Sequence, residues 1–230
     1  MRPFGLTVRY EDAVARLSVL PERLPAGPEA LIPILTDGGE RPLAARLDPA
    51  TVKAAAVLVL VVPGVDRDAR VVLTERVDRG GHHSGEVSFP GGRAEPGDAD
   101  AAATALREAA EEVGLDPVAA AVRIVGPLES FWIPVSDYQV TPVLAIAQRR
   151  PALVASPSEV ARIVEAPLRA FLPGAAIETV ERTIRDWPLR YGAYRVDGLH
   201  VWGATARILG QLGALVADPA SPVPRGEYRS

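Results

Sequence analysis

The sequence predicts an α+β fold built on a mixed or antiparallel sheet. Three observations carry this reading. A β-branched apolar run, 54–62, is followed by a turn-rich stretch and a second apolar run at 71–74. An alanine-rich segment, 101–110, has helix formers throughout and a glycine just beyond it. Strands and helices then mix along the chain without regular βαβ alternation, so a purely parallel sheet is not expected.

Element by element, residues 1–50 are interrupted by Pro21, Pro25, Gly27, Pro28, Pro33, Gly38, Gly39 and Pro42, and read as an N-terminal extension with one short helix. From Ala55 the chain runs Ala56-Val57-Leu58-Val59-Leu60-Val61-Val62, turns through Pro63-Gly64-Val65-Asp66-Arg67-Asp68, and returns as Val71-Val72-Leu73-Thr74. Two central strands joined by a hairpin-like loop follow from that pattern. A loop from Asp78 to Gly85 leads to Phe89-Pro90-Gly91-Gly92, where paired glycines let the backbone approach a ligand closely. The helix that follows is capped by Asp98 or Asp100 and ends at Gly114, where a left-handed residue is expected. Further strands are expected at 122–125, 138–146, 176–184 and 189–196. A last helix is expected over 203–216, with Trp202, Ala206, Leu209, Leu212 and Leu215 giving its apolar face. The organisation is therefore an extension at 1–50, one domain at 51–217, and a Pro- and Ser-rich tail at 218–230.

Composition narrows the function classes. The 230 residues carry 25 Lys+Arg against 29 Asp+Glu, a net charge of -4, which disfavours a general nucleic-acid binder. Lys53 is the only lysine. With no cysteine, thiolate nucleophiles and cysteine metal sites are excluded, and a reducing compartment fits. The longest apolar run is far short of the roughly 20 residues needed to cross a bilayer, and the N-terminus lacks a signal-like apolar core, so no membrane association and a cytoplasmic location are expected.

The chemistry concentrates on the alanine-rich helix. Arg107, Glu108, Glu111 and Glu112 are spaced three or four apart, so the three carboxylates are expected to converge. Converging carboxylates repel one another, and a divalent cation relieves the repulsion; hard oxygen donors favour Mg2+ or Mn2+ over Zn2+. The bland alternative is a solvated helix face whose Arg107–Glu111 pair contributes little. The glycine pair just upstream weighs against it, since Gly91 and Gly92 bring backbone groups near the same ion and near phosphates.

These residues resemble the Nudix hydrolase box, G-x5-E-x7-R-E-U-x-E-E-x-G-U with U aliphatic. Here it reads Gly92-x5-Asp98-x8-Arg107-Glu108-Ala109-x-Glu111-Glu112-x-Gly114-Leu115. Asp98 replaces the first glutamate with one additional residue before Arg107, and Ala109 takes an aliphatic position. The coenzyme A pyrophosphatase branch, with its signature L-L-T-x-R-[SA]-x3-R-x3-G-x3-F-P-G-G, is similar in Val72-Leu73-Thr74-Glu75-Arg76 and in Gly85-x3-Phe89-Pro90-Gly91-Gly92. Gly81 stands where that signature has its second arginine, and Val77 where it has a small residue. Agreement continues in order through Tyr138 to Val143, Glu159-Val160, Ala166-Pro167-Leu168 and Val201 to Ala206.

The resemblance implies an α/β/α sandwich and metal-dependent hydrolysis of a nucleoside diphosphate derivative, coenzyme A favoured, with 3′,5′-ADP and 4′-phosphopantetheine as products. It implies that Glu108, Glu111, Glu112 and the Gly92 backbone hold Mg2+ or Mn2+, that Arg107 orients a glutamate, and that Glu159 is a candidate general base. Arg76, His83, Gly91, Gly92 and Arg93 are the substrate-binding candidates it marks, and homodimers are the family habit. Another substrate such as ADP-ribose or a dinucleotide is the alternative, and ligand binding without turnover is a more distant one. His82 and His83, adjacent on an extended chain, point to opposite sides and do not form a joint metal site. Phe131, Trp132 and Tyr138 either stack a base or close the core.

Overall fold

The computed structural model describes residues 7–37, 52–77, 86–133, 137–184 and 187–217. Its elements in chain order are α1 (Tyr10–Leu17), β1 (Ile34–Leu35), β2 (Lys53–Pro63), β3 (Ala69–Arg76), β4 (Val87–Ser88), β5 (Gly91–Arg93), α2 (Ala101–Val113), β6 (Val122–Pro127), β7 (Phe131–Ile133), β8 (Tyr138–Ala147), β9 (Val160–Pro167), β10 (Glu178–Ile184), β11 (Trp187–Val196), β12 (Leu199–Trp202) and α3 (Gly203–Ala217). The 3-10 turns Glu29–Leu31 and Leu168–Phe171 punctuate the loops.

The larger sheet has the order β4-β3-β2-β8-β6, with β5 added to β2, β7 to β8 and β9 to β3. Among the described residues of this sheet only β2 and β8 run parallel; the other pairings are antiparallel, so the sheet is mixed, as the chain pattern predicts. A smaller antiparallel sheet joins β1, β11, β10 and β12.

The period-two alternation of β2 explains the layering. Ala56, Leu58, Leu60 and Val62 face α2, where they share a buried cluster with Val72, Ala105, Ala109, Val113, Val143, Ala145 and Ala147. Val59 and Val61 point the other way, into a second cluster with Leu73, Leu144 and Ile146 from the same sheet. Phe171, Tyr194 and the apolar face of α3 complete that cluster. Helix, sheet, and a mixed layer of helices and small sheet make the α/β/α sandwich. Both strands of the expected hairpin are indeed central and buried on two faces.

Residues of the N-terminal segment belong to the second cluster: Ala13, Leu17 and Leu31 are fully buried. Tyr10 Oη donates to the Ala147 carbonyl at 2.6 Å, which ties α1 to the end of β8. The short helix expected there is α1, but the segment is built into the core rather than appended to it. β9 is a strand that the pattern left unassigned. Its Val160, Val164 and Ala166 are buried along β3, while Arg162 and Glu165 interrupt the apolar signal. The tail at 218–230 lies outside the described residues.

Candidate active site

The start of α2 settles the capping question. Asp100 is the N-cap, its Oδ1 accepting from the Ala103 N–H at 2.8 Å, and Gly114 closes the helix in the left-handed region at φ 63. Asp98 is thereby released for another task. Its carboxylate takes the Arg107 guanidinium at two points, Nε to Oδ1 and Nη2 to Oδ2, each 3.1 Å, and accepts from Thr104 Oγ1 and the Glu95 N–H, both at 2.9 Å. Arg107 above all, then the Glu95 N–H, hold the Asp98 carboxyl far below the usual carboxylate range. Arg107 spends its other donors on the Arg93 carbonyl (2.9 Å) and Glu108 Oε1 (3.0 Å). Of the helix glutamates Arg107 thus reaches Glu108 most closely, while Asp98, itself bonded by Thr104, holds the arginine in turn.

Antiparallel pairing sets Gly91 opposite Val57, Gly92 opposite Ala56 and Arg93 opposite Ala55. Alanines on both surfaces, Ala105 and Ala109 on α2 and Ala56 and Ala145 on the sheet, bring helix and sheet close. That close approach gives Ala109 its reason: a larger aliphatic side chain would push the helix, and its carboxylates, away. Gly92 answers to the same constraint, since a Cβ there would meet the Glu108 carboxylate at 2.6 Å.

Glu108 and Glu112 line a cleft of about 480 Å3 together with Arg76, Gly91, Gly92, Arg93 and Glu159 and the less polar Ala55, Val57, Ile133, Tyr138 and Val140. Glu112 is only 4% exposed, and its Oε2 accepts the Gly91 N–H at 3.1 Å. Burial pushes its carboxyl up to about 7; the Gly91 N–H and Arg76 oppose the shift, and the Glu108 and Glu159 charges add to it. The Glu108 carboxyl is raised as well, first by burial, with Arg107 opposing and Glu111 and Glu159 contributing repulsion.

The three helix carboxylates do not all converge. Glu108 and Glu112, four apart, share the cleft face, whereas Glu111 is 58% exposed and turned to Arg107 Nη1 at 3.4 Å. A guanidinium four residues back attracts it, the solvated pair that the sequence offered as the alternative. Among the described residues no three acidic or histidine side chains are already gathered at metal spacing. The donor set nevertheless suits a hard divalent cation: two carboxylates with raised pKa, a third cleft carboxylate in Glu159, and Glu111 on the adjacent helix face.

Of the other sequence candidates, Arg76, Gly91, Gly92, Arg93 and Glu159 all reach the cleft. Glu159 arrives because β9 pairs with β3 and its carbonyl accepts the Val77 N–H at 3.0 Å. His82, His83 and Gly81 lie outside the described residues. Phe131 and Trp132 do not line the cleft: Phe131 sits under Arg207, and Trp132 Nε1 donates to Asp137 at 3.2 Å. Tyr138 does line it, and so do the apolar residues Ala55, Val57, Ile133 and Val140, which the motif gave no reason to single out. No local signal marked them, since β2 is apolar on both faces and Ile133 stands on the separate strand β7.

The NUDIX domain family model matches residues 52–173, and the chain belongs to that family. It is 40% identical over 166 residues to "Nudix hydrolase 15, mitochondrial" of Arabidopsis thaliana, covering 68% of this chain and 56% of that protein. "Nudix hydrolase 22, chloroplastic" of the same plant is 40% identical over 168 residues, 68% of this chain and 53% of its own length. The chain therefore spans about half the length of these two curated relatives. The Nudix hydrolase NudL of Yersinia pestis is 32% identical over 173 residues, covering 73% of this chain and 82% of that protein. Among the described residues no helix is long and apolar enough to cross a membrane.

Proposed function

We propose that the chain hydrolyses the diphosphate bridge of a nucleoside diphosphate derivative, with coenzyme A or an acyl-coenzyme A as the favoured substrate. The observation that carries this reading is the cleft itself, whose lining combines Glu108, Glu112 and Glu159 with Arg76, Arg93 and the Gly91-Gly92 backbone. Carboxylates suit a divalent cation, and arginines suit phosphoryl oxygens.

Glu108, Glu112 and, after a side-chain rotation, Glu111 are the residues that would hold Mg2+ or Mn2+. Such an ion, when bound, lowers the pKa of water and offsets charge on phosphoryl oxygens. Arg107, clamped by Asp98, fixes the Glu108 carboxylate so that little reorganisation is left for the reacting state. Arg76 and Arg93 receive the phosphates, and the Gly91 N–H steadies Glu112. In the reaction a water oxygen bonds to one phosphorus, the bridging P–O bond breaks, Glu159 takes the water proton, and two phosphate monoesters leave.

The coenzyme A preference rests on the resemblance of the two signature halves, which the fold lays side by side. β3 carries Thr74 and Arg76, β4 pairs Ser88 with Thr74, and Pro90-Gly91-Gly92 follow directly. The test is to incubate the protein with coenzyme A, ADP-ribose and a dinucleoside polyphosphate under Mg2+ or Mn2+, with Glu112→Gln in parallel. Release of 3′,5′-ADP from coenzyme A, lost in the variant, is expected. Cleavage of another compound in place of coenzyme A would remove the substrate preference, and turnover unchanged in Glu112→Gln would remove the site.

A further inference from the structure

The cleft has a second end. On β2, Val57 and Ala55 line the cleft, and the next residue of the same parity is Lys53, so its side chain leaves the same face of the sheet. The parallel register places Lys53 opposite Tyr138 and Ala55 opposite Val140, and both Tyr138 and Val140 line the cleft. Lys53 Nζ stands 5.7 Å from the centre of the Tyr138 ring. Lys53 is exposed, and among the described residues it has no carboxylate within ion-pair distance. The chain's one lysine thus stands over the cleft-lining Tyr138, just beyond the cleft lining itself.

The strand supplies the distance. Gly91, whose N–H meets Glu112, pairs with Val57, so the carboxylates lie at the level of Val57. Lys53 is four residues further along β2, about 13 Å at roughly 3.3 Å per residue. The floor between is apolar, made of Ala55, Val140 and Ile133. A nucleoside extending from a diphosphate at the Gly91 end along that floor would approach Lys53 and Tyr138.

We infer that Lys53, steadied over the Tyr138 ring, is a specificity-determining residue that recognises a second anionic group, a monoester phosphate on the nucleoside remote from the diphosphate. This deepens the reading of the cleft as a nucleoside diphosphate site and rests on it. A cation beside an aromatic face also suits a nucleotide in general, but the ammonium adds discrimination only where the ligand carries charge at that end. A Lys–phosphate contact of this kind is a point-charge interaction that arginine also satisfies.

The experiment has two independent arms. In the first, kcat/KM is measured for coenzyme A and for 3′-dephospho-coenzyme A with wild type, Lys53→Met and Lys53→Arg. The coenzyme A to dephospho-coenzyme A ratio should fall about tenfold in Lys53→Met and recover in Lys53→Arg, the loss expected for one partly solvated charge-assisted contact. A ratio unchanged in Lys53→Met overturns the inference while leaving the hydrolase reading intact. The second arm needs no turnover: the ε-amine of Lys53 is acylated in the presence of 3′,5′-ADP or 5′-ADP and quantified by mass spectrometry. Selective protection by 3′,5′-ADP supports the inference even if coenzyme A proves not to be cleaved. Equal protection by both nucleotides, or by neither, overturns it.

Discussion

Glu112→Gln should make the metal-free protein more stable at alkaline pH while abolishing its activity. The Glu112 carboxyl is pushed up to about 7, mainly by burial, against roughly 4.3 to 4.5 in an unfolded chain. Between those values the folded state binds more protons than the unfolded state, so stability falls as pH rises. The stabilising contribution is therefore fully present below about pH 4.5 and lost as pH passes 7. A shift of about 2.5 units corresponds to about 3 kcal/mol, an upper figure that water entry and side-chain relaxation reduce to about 1 to 3 kcal/mol. Glutamine keeps an oxygen to accept the Gly91 N–H and carries no charge at any pH, so that loss disappears. Urea or thermal unfolding in EDTA at pH 5 and pH 8 reads the effect. The difference between variant and wild type isolates Glu112 from Glu108, whose raised carboxyl gives both proteins a residual slope of the same sign. At pH 8 the variant should melt several degrees higher, at about 2 to 4 °C per kcal/mol for a chain of this size, and Mn2+ should raise the melting temperature of wild type far more than that of the variant. A variant less stable than wild type at pH 8, or a difference that does not depend on pH, would refute the burial reasoning.

Other substitutions test the neighbouring supports. Gly92→Ala places a Cβ at 2.6 Å from the Glu108 carboxylate, so kcat should fall at least tenfold with circular dichroism unchanged. Ala109→Leu overpacks the seam between α2 and the sheet and should cost about 1 to 3 kcal/mol in urea unfolding. Thr104→Val removes the 2.9 Å hydroxyl contact to Asp98 and should cost about 1 kcal/mol, with a lower kcat that Thr104→Ser restores.

Much of the site was legible in the sequence because it is local. Residues 91 to 114 hold the glycine pair, the Asp98–Arg107 clamp and the helix carboxylates within one strand-loop-helix unit, and helical spacing alone puts Glu108 and Glu112 on one face. The same spacing misplaced Glu111, because three residues of separation allow either the cleft or Arg107, and the choice depends on which charge lies nearer in space. Asp98 was ambiguous for a related reason: two aspartates two residues apart can each cap a helix, and only the packed loop shows that Asp100 does. The strong runs, β2 and β3, were readable as central strands because burial on both faces removes polar alternation.

The chain pattern by itself determined the class of fold, the two central strands, the extent of α2 and α3, and the chemical character of the carboxylate-bearing helix face. Tertiary structure alone decided that α1 and Leu31 enter the core, that β9 lies along β3 and so delivers Glu159 beside Arg76, and that β2 and β8 run parallel. The parallel pairing sets residues 85 positions apart, Lys53 with Tyr138 and Ala55 with Val140, side by side at the cleft. Contacts of that separation leave no period in either segment. They arise because a strand buried on both faces must find its neighbour wherever in the chain that neighbour lies.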